Sequence, residues 1–89
     1  MKIKDGFVMR RVAGTWVVLP LTKSTAEFNG MLTLNETGAL LWRLLEEGAA
    51  ETSLASALTE EYEVTLDVAQ ADVKKFLAKI SEAGCIDMQ

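Results

Sequence analysis

The chain has 89 residues, 49% of them apolar and 25% charged, with one proline, one cysteine, no histidine and a net charge of −4. Such a chain buries a little over ~60% of its unfolded surface, enough for one domain over residues 1–89 with a single core. Lack of histidine removes the commonest general base and metal ligand, one cysteine excludes an internal disulfide or cysteine-rich zinc site, and the acidic balance opposes unassisted binding to nucleic acid.

No apolar run approaches the ~20 residues of a membrane span, and Met1-Lys2-Ile3-Lys4-Asp5 has no signal-peptide core behind it. The expected location is therefore the cytoplasm, with neither membrane nor nucleic acid as partner.

Residues 6 to 20 read as a β-hairpin. Phe7-Val8-Met9-Arg10-Arg11-Val12 and Thr15-Trp16-Val17-Val18-Leu19 are rich in β-formers, and Ala13-Gly14 is a two-residue connection with glycine to take positive φ. Neither face of this ribbon is cleanly polar, so both are expected to be covered at least in part. Pro20 removes a ladder donor and suits a strand end. Residues 21 to 30 have turn chemistry and end on Asn29-Gly30, a strong hairpin signal, although Ala26-Glu27-Phe28 is short for a first arm. Met31-Leu32-Thr33-Leu34 then reads as a short strand. Paired on one side with the hairpin, it leaves an open edge of N–H and C=O groups on the other, which a fold either protects or uses.

The stretch from Leu34 to Gly48 organises the rest. Thr33 and Glu36 have capping-box spacing, Asn35 is an alternative cap, and Gly48 stands where a left-handed residue closes a helix. Leu40, Leu41, Leu44 and Leu45 form one stripe, and Trp42 lies off it in line with Gly38. Apolar groups on more than one side imply a central, enclosed helix, with Gly38 letting backbone or a large ring approach; the alternative is a Trp42 that is partly exposed. A second helix follows, with Leu54, Leu58 and Tyr62 at four-residue steps and Thr52 or Ser53 as cap. Thr65 and Asp67 open a third. Its stripe is Leu66, Ala69, Val73, Phe76, Leu77 and Ile80, it stops at Gly84, and Ile86 beyond it is placed to tuck back. Asp72, Lys75 and Lys79 flank this stripe on one side, and Gln70, Lys74 and Ser81 on the other.

Catalytic chemistry finds no foothold in this pattern. Glu46-Glu47, Glu60-Glu61-Glu63 and Asp67 sit at helix ends and on solvated faces, not as an acid/base pair. Cys85 has no histidine to activate it and reads as a packed thiol. No glycine-rich phosphate loop occurs. The expectation is a protein that is not an enzyme and holds no cofactor or metal. Three helices with a β-ribbon also suggest a winged helix that reads DNA, but Asp67, Asp72 and Glu82 cancel Lys74, Lys75 and Lys79 on the third helix, and Arg10 and Arg11 are few.

The run Leu34-Asn35-Glu36-Thr37-Gly38-Ala39-Leu40-Leu41-Trp42-Arg43-Leu44-Leu45-Glu46-Glu47-Gly48 resembles the "LNxTGxxIWxLLdG" signature of PqqD-like proteins. Leu54-Ala55-Ala57-Leu58-Glu61-Tyr62 looks like that family's second helix, and Asp72-Val73-Phe76-Leu77-Ile80-Ala83-Gly84 resembles its "DVxxFLxxLxxxGL" third helix. The likeness runs over about residues 6 to 86. Cys85 departs from it, standing where the family commonly has an aliphatic residue.

The resemblance implies an α+β, winged helix-turn-helix-like domain: a three-stranded antiparallel sheet followed by three helices. The family this chain resembles is the stand-alone form of the RiPP recognition element. Such a domain binds the leader region of a ribosomally made precursor peptide and presents it to a modifying enzyme, often a radical SAM maturase, as in PQQ biosynthesis or that of another natural product. The peptide adds as a strand beside the third strand, against the third helix. Carried onto this chain, this implicates Met31, Leu32, Thr33 and Leu34 for strand addition, and Asp72, Lys75, Phe76 and Lys79 on the helix side. The rival readings are a winged-helix DNA regulator and an adaptor subunit without peptide specificity.

Overall fold

In the computed structural model, the described residues are 1–21 and 32–87. They form β1 (Lys2–Ile3), β2 (Phe7–Val12), β3 (Thr15–Pro20), β4 (Leu32–Leu34), α1 (Glu36–Glu47), α2 (Glu51–Glu61), α3 (Leu66–Glu82) and β5 (Ile86–Asp87). The expected turn at Asn29-Gly30 and the residue Met31 lie outside the described residues.

The hairpin forms as its sequence requires. Six pairs run from Phe7 opposite Pro20 to Val12 opposite Thr15. Ala13 at φ 52° and Gly14 at φ 81° make the connection, because two left-handed residues give a turn whose twist matches that of the strands. β4 pairs antiparallel with β3, setting Leu34 opposite Trp16, Thr33 opposite Val17 and Leu32 opposite Val18. The order β2-β3-β4 puts β4 at an edge. Strand alternation turns Trp16, Val18, Leu32 and Leu34 to one face, where Val18 and Leu34 enter the main core. On the opposite face Val17 is also buried, with Val8 and Leu19 half-buried beside it, so both faces are covered in part.

The core closes around α1, where Leu41, Trp42 and Leu45 are buried together with Gly38 and Ala39. Trp42 has no exposure at all and meets Phe7 in a T-shaped contact, ring centroids 6.5 Å apart and planes at 85°. The enclosed helix is what the structure shows. The leucine stripe needs correction: Leu40 and Leu44 are only half-buried, because the inward face is turned toward Trp42. Asn35, not Thr33, caps the helix, its side chain accepting from the Gly38 N–H at 2.8 Å. Gly48 closes it at φ 99°.

α2 begins two to three residues earlier than a Thr52 or Ser53 cap requires. Ala50 is the extended cap residue and makes no side-chain cap bond. The link before it is already pinned: Met1 and Ala49 exchange two hydrogen bonds, at 2.9 and 3.1 Å. Leu54, Ala55 and Leu58 are buried, but the helix stops before Tyr62, which is 38% exposed. α3 opens on Thr65, whose side chain accepts from the Val68 N–H at 3.3 Å. Its buried residues are Ala69, Val73, Phe76, Leu77 and Ile80. Leu66, in the first turn, stays 52% exposed.

A second, two-stranded sheet was not read from the sequence. β1 pairs with β5, Lys2 opposite Asp87 and Ile3 opposite Ile86. Ile86 does tuck back, as a strand partner of Ile3.

Candidate functional site: the open edge of β4 and the flank of α3

Among the described residues no strand pairs with the outer edge of β4. Its middle residue defines what that edge offers. In an antiparallel ladder both backbone groups of a residue point to the same side. The Lys79 ammonium, coming from α3, donates to the Thr33 carbonyl at 2.9 Å. That carbonyl therefore points away from β3, and the Thr33 N–H with it, while Leu32 and Leu34 turn their backbone groups toward β3.

Between β4 and α3 lies a cleft of about 270 Å³. Leu34, Gly38 and Phe76 give it an apolar floor, and Asn35, Asp72, Lys75 and Lys79 its polar rim. Gly38 is what lets the α3 ring come so close. A Cβ at that position would stand 3.3 Å from Phe76 Cε1 and 3.3 Å from Asn35 Oδ1. A second, shallower concavity of about 510 Å³ continues past Lys79, over Thr33, Leu34 and Asn35 to Thr15 and Trp16. Lys79 thus stands where the two depressions meet.

Leu34, Asp72, Lys75, Phe76 and Lys79 are brought together by the fold, and Leu32 and Thr33 lie on the same edge. The flank of α3 that faces β4 is the one carrying Asp72, Lys75 and Lys79. The other flank meets α2, where Gln70, Val73 and Lys74 line a depression with Glu51, Thr52 and Ala55. Sequence reasoning did not place Asn35 at the cleft. Its signal was the capping position itself, since a cap on the helix that follows β4 sits at the strand's end.

The electrostatics of this rim differ from those of the whole chain. Two lysines face one aspartate there, in a protein of net charge −4. Nearby, two guanidinium groups lie against the Trp16 ring, Arg43 at 4.6 Å and Arg11 at 5.5 Å from its centre, and Arg11 reaches Glu36 at 3.9 Å. Among the described residues no group of three or more acidic, cysteine or histidine side chains could hold a metal ion. Cys85 is fully buried, and that burial, opposed slightly by Lys4, pushes its thiol up to about 11. A thiol so held is a packing group, not a nucleophile.

Fold and site together define a winged, α+β domain in which β4 is an edge strand among the described residues, beside an apolar-floored cleft. The chain belongs to the family described as Coenzyme PQQ synthesis protein D (PqqD), whose model matches residues 15–86. It is similar to TbiB1, solved in complex with the TbiA(beta) leader peptide, with 26% identity, a TM-score of 0.79, and coverage of 100% of this chain and 98% of that one. It also resembles lasso peptide synthetase B1, solved complexed with the leader peptide, at 24% identity and a TM-score of 0.74, over 94% of this chain and 93% of that one. Among curated protein sequences, none matches.

Proposed function

We propose that this chain is a non-catalytic recognition element. It binds the leader region of a ribosomally synthesised precursor peptide by strand addition to β4, and presents that peptide to a modifying enzyme. The observation that carries the reading is the outward-facing Thr33 on β4, an edge strand among the described residues, directly beside the Phe76-floored cleft. A peptide entering there gains main-chain hydrogen bonds from the strand, and alternate side chains fall on the cleft side. Family membership supports this, as do the two structural relatives with leader peptides bound.

Any redox or bond-forming chemistry then belongs to the partner. A radical SAM maturase is the class the family resemblance implies, and the likeness to lasso peptide synthetase B1 extends the choice to other leader-dependent enzymes.

The test is an amide-shift titration of labelled protein with leader peptides encoded by neighbouring precursor genes. Saturable shifts should concentrate at residues 32 to 34 and on α3. Thr33→Pro sharpens the test, because its ring replaces an N–H that faces outward and leaves the ladder to β3 intact. This variant should fold and lose the peptide. A folded Thr33→Pro protein with unchanged affinity would overturn the strand-addition geometry.

A further inference from the structure

Lys79 is not simply a rim residue. Its stem rises from α3, and its ammonium is fixed on the backbone of the strand that the peptide would extend, 2.9 Å from the Thr33 oxygen. Among the described residues neither it nor Lys75 forms an ion pair with a carboxylate. The positive charge is therefore held at one defined step of the β4 register, with no carboxylate paired to it among the described residues.

Strand geometry says which part of an incoming peptide meets that charge. The peptide residue paired with Thr33 turns its side chain to the same face as the Thr33 side chain, away from the cleft. Its neighbours on either side point with Leu32 and Leu34, toward α3. One of these cleft-facing positions lies beside Lys79. A carbonyl oxygen has two lone pairs, so the ammonium can share the Thr33 oxygen with a peptide N–H or swing off it by its flexible stem. In both cases it stays within reach of that neighbour.

We infer that Lys79 determines the specificity of the cleft by pairing with a carboxylate side chain. The peptide taken by this protein carries Asp or Glu at the cleft-facing residue adjacent to the one that pairs with Thr33. Asp72, on the same rim, disfavours a second acid and confines the preference to one position. This inference rests on the strand-addition reading and adds a chemical class of ligand to it.

The test uses phage-displayed random peptides of strand length, selected in parallel on the full chain and on its Lys79→Met and Lys79→Glu variants. Circular dichroism and an amide spectrum establish that each variant is folded. The wild type should enrich one acidic position among apolar ones. Lys79→Met, which keeps the apolar stem, should lose the acidic preference and keep the apolar pattern. Lys79→Glu should replace the acid by Lys or Arg at the same position. For one selected peptide, Lys79→Met and a Glu→Gln change in the peptide should each weaken binding about five-fold, and both together no further, the scale of a solvent-exposed ion pair.

The same acidic position on wild type and Lys79→Met, or selected peptides with no fixed acidic position, overturns the role of Lys79 while leaving strand addition standing. Selected peptides that bind Thr33→Pro as well as wild type show instead that strand addition itself is wrong.

Discussion

Gly38 and Phe76 meet across the interface of α1 and α3 with no room for another carbon: a Cβ on Gly38 would lie 3.3 Å from the ring. The same carbon would press on Asn35 Oδ1 and, at 3.4 Å, on the Leu34 Cβ. All four residues border the cleft. Gly38→Ala gains helix propensity of about 1 kcal/mol and spends it on moving these neighbours by a few tenths of an ångström. Phe76 lines the cleft, so a shift of its ring alters the cleft floor. Urea unfolding should therefore place Gly38→Ala within about 1 kcal/mol of the parent, while leader-peptide affinity falls several-fold. Undiminished affinity in that variant would mean that the ring does not form the peptide's floor.

Ala13 is the described non-glycine residue with positive φ, at 52°. A side chain with a Cβ costs roughly 1–2 kcal/mol in this conformation unless it is Asn or Asp, whose short polar group tolerates it. Ala13→Asn creates the Asn-Gly pair that two-residue hairpins favour. The expected outcome is a gain of about 1 kcal/mol in urea or thermal unfolding, with leader binding unchanged, because the substitution keeps the backbone path of the turn and relieves only its strain. A loss of stability would show that the turn does not hold its left-handed geometry in solution.

Much of this architecture was legible because its signals are local and periodic. Phe7 to Val12 and Thr15 to Leu19, with Ala13-Gly14 between them, carry strand composition and turn chemistry within thirteen residues. Gly38 in line with Trp42 announced an enclosed helix, and the ring of Phe76 is what approaches that glycine. Periodicity failed where an element was too short to have any. Two-residue β1 and β5 pair across the whole chain, and Ile3 alone is no pattern. It also failed at helix ends, where Tyr62 and Leu66 continue an apolar repeat but lie beyond or before the turns that reach the core. The rotation of α1 toward Trp42, leaving Leu40 and Leu44 at the margin, depends on which neighbours enclose the helix, and a one-dimensional stripe does not encode that. The facing flank of α3 was likewise set by tertiary packing: both flanks are polar, and only the placement of β4 distinguishes Asp72, Lys75 and Lys79 from Gln70 and Lys74.

Asn35 joins the end of β4 to the start of α1 and caps the helix at 2.8 Å from the Gly38 nitrogen. Asn35→Ala leaves that N–H without its partner and should cost about 1 kcal/mol of stability. Asn35→Asp keeps the acceptor and adds negative charge at the positive end of the helix, so its stability should equal or exceed the parent's. Both variants are read by urea unfolding at neutral pH. Equal losses for alanine and aspartate would mean that the side chain's shape in the cleft rim, not its cap, is what the fold requires.

Cys85 gives the fold a pH dependence whose sign is fixed by its burial. The folded thiol is raised from 9.0 to about 11, chiefly by burial. Below pH 9 both states hold the proton and the group contributes no slope. Between about pH 9 and 11 the unfolded chain gives up its proton while the folded chain keeps it, so stability falls as pH rises through that window. The informative quantity is a difference between variants. Cys85→Ala should show a shallower decline of the urea midpoint above pH 9 than the parent, with little change below it. At neutral pH the native thiol should resist an aromatic disulfide reagent and react only as the chain unfolds, because the thiolate is the nucleophile and the folded protein suppresses it. Rapid labelling of the native protein, or identical pH profiles for the two chains, would show that Cys85 is more accessible to solvent than its packing beside Ile80 and Ile86 allows.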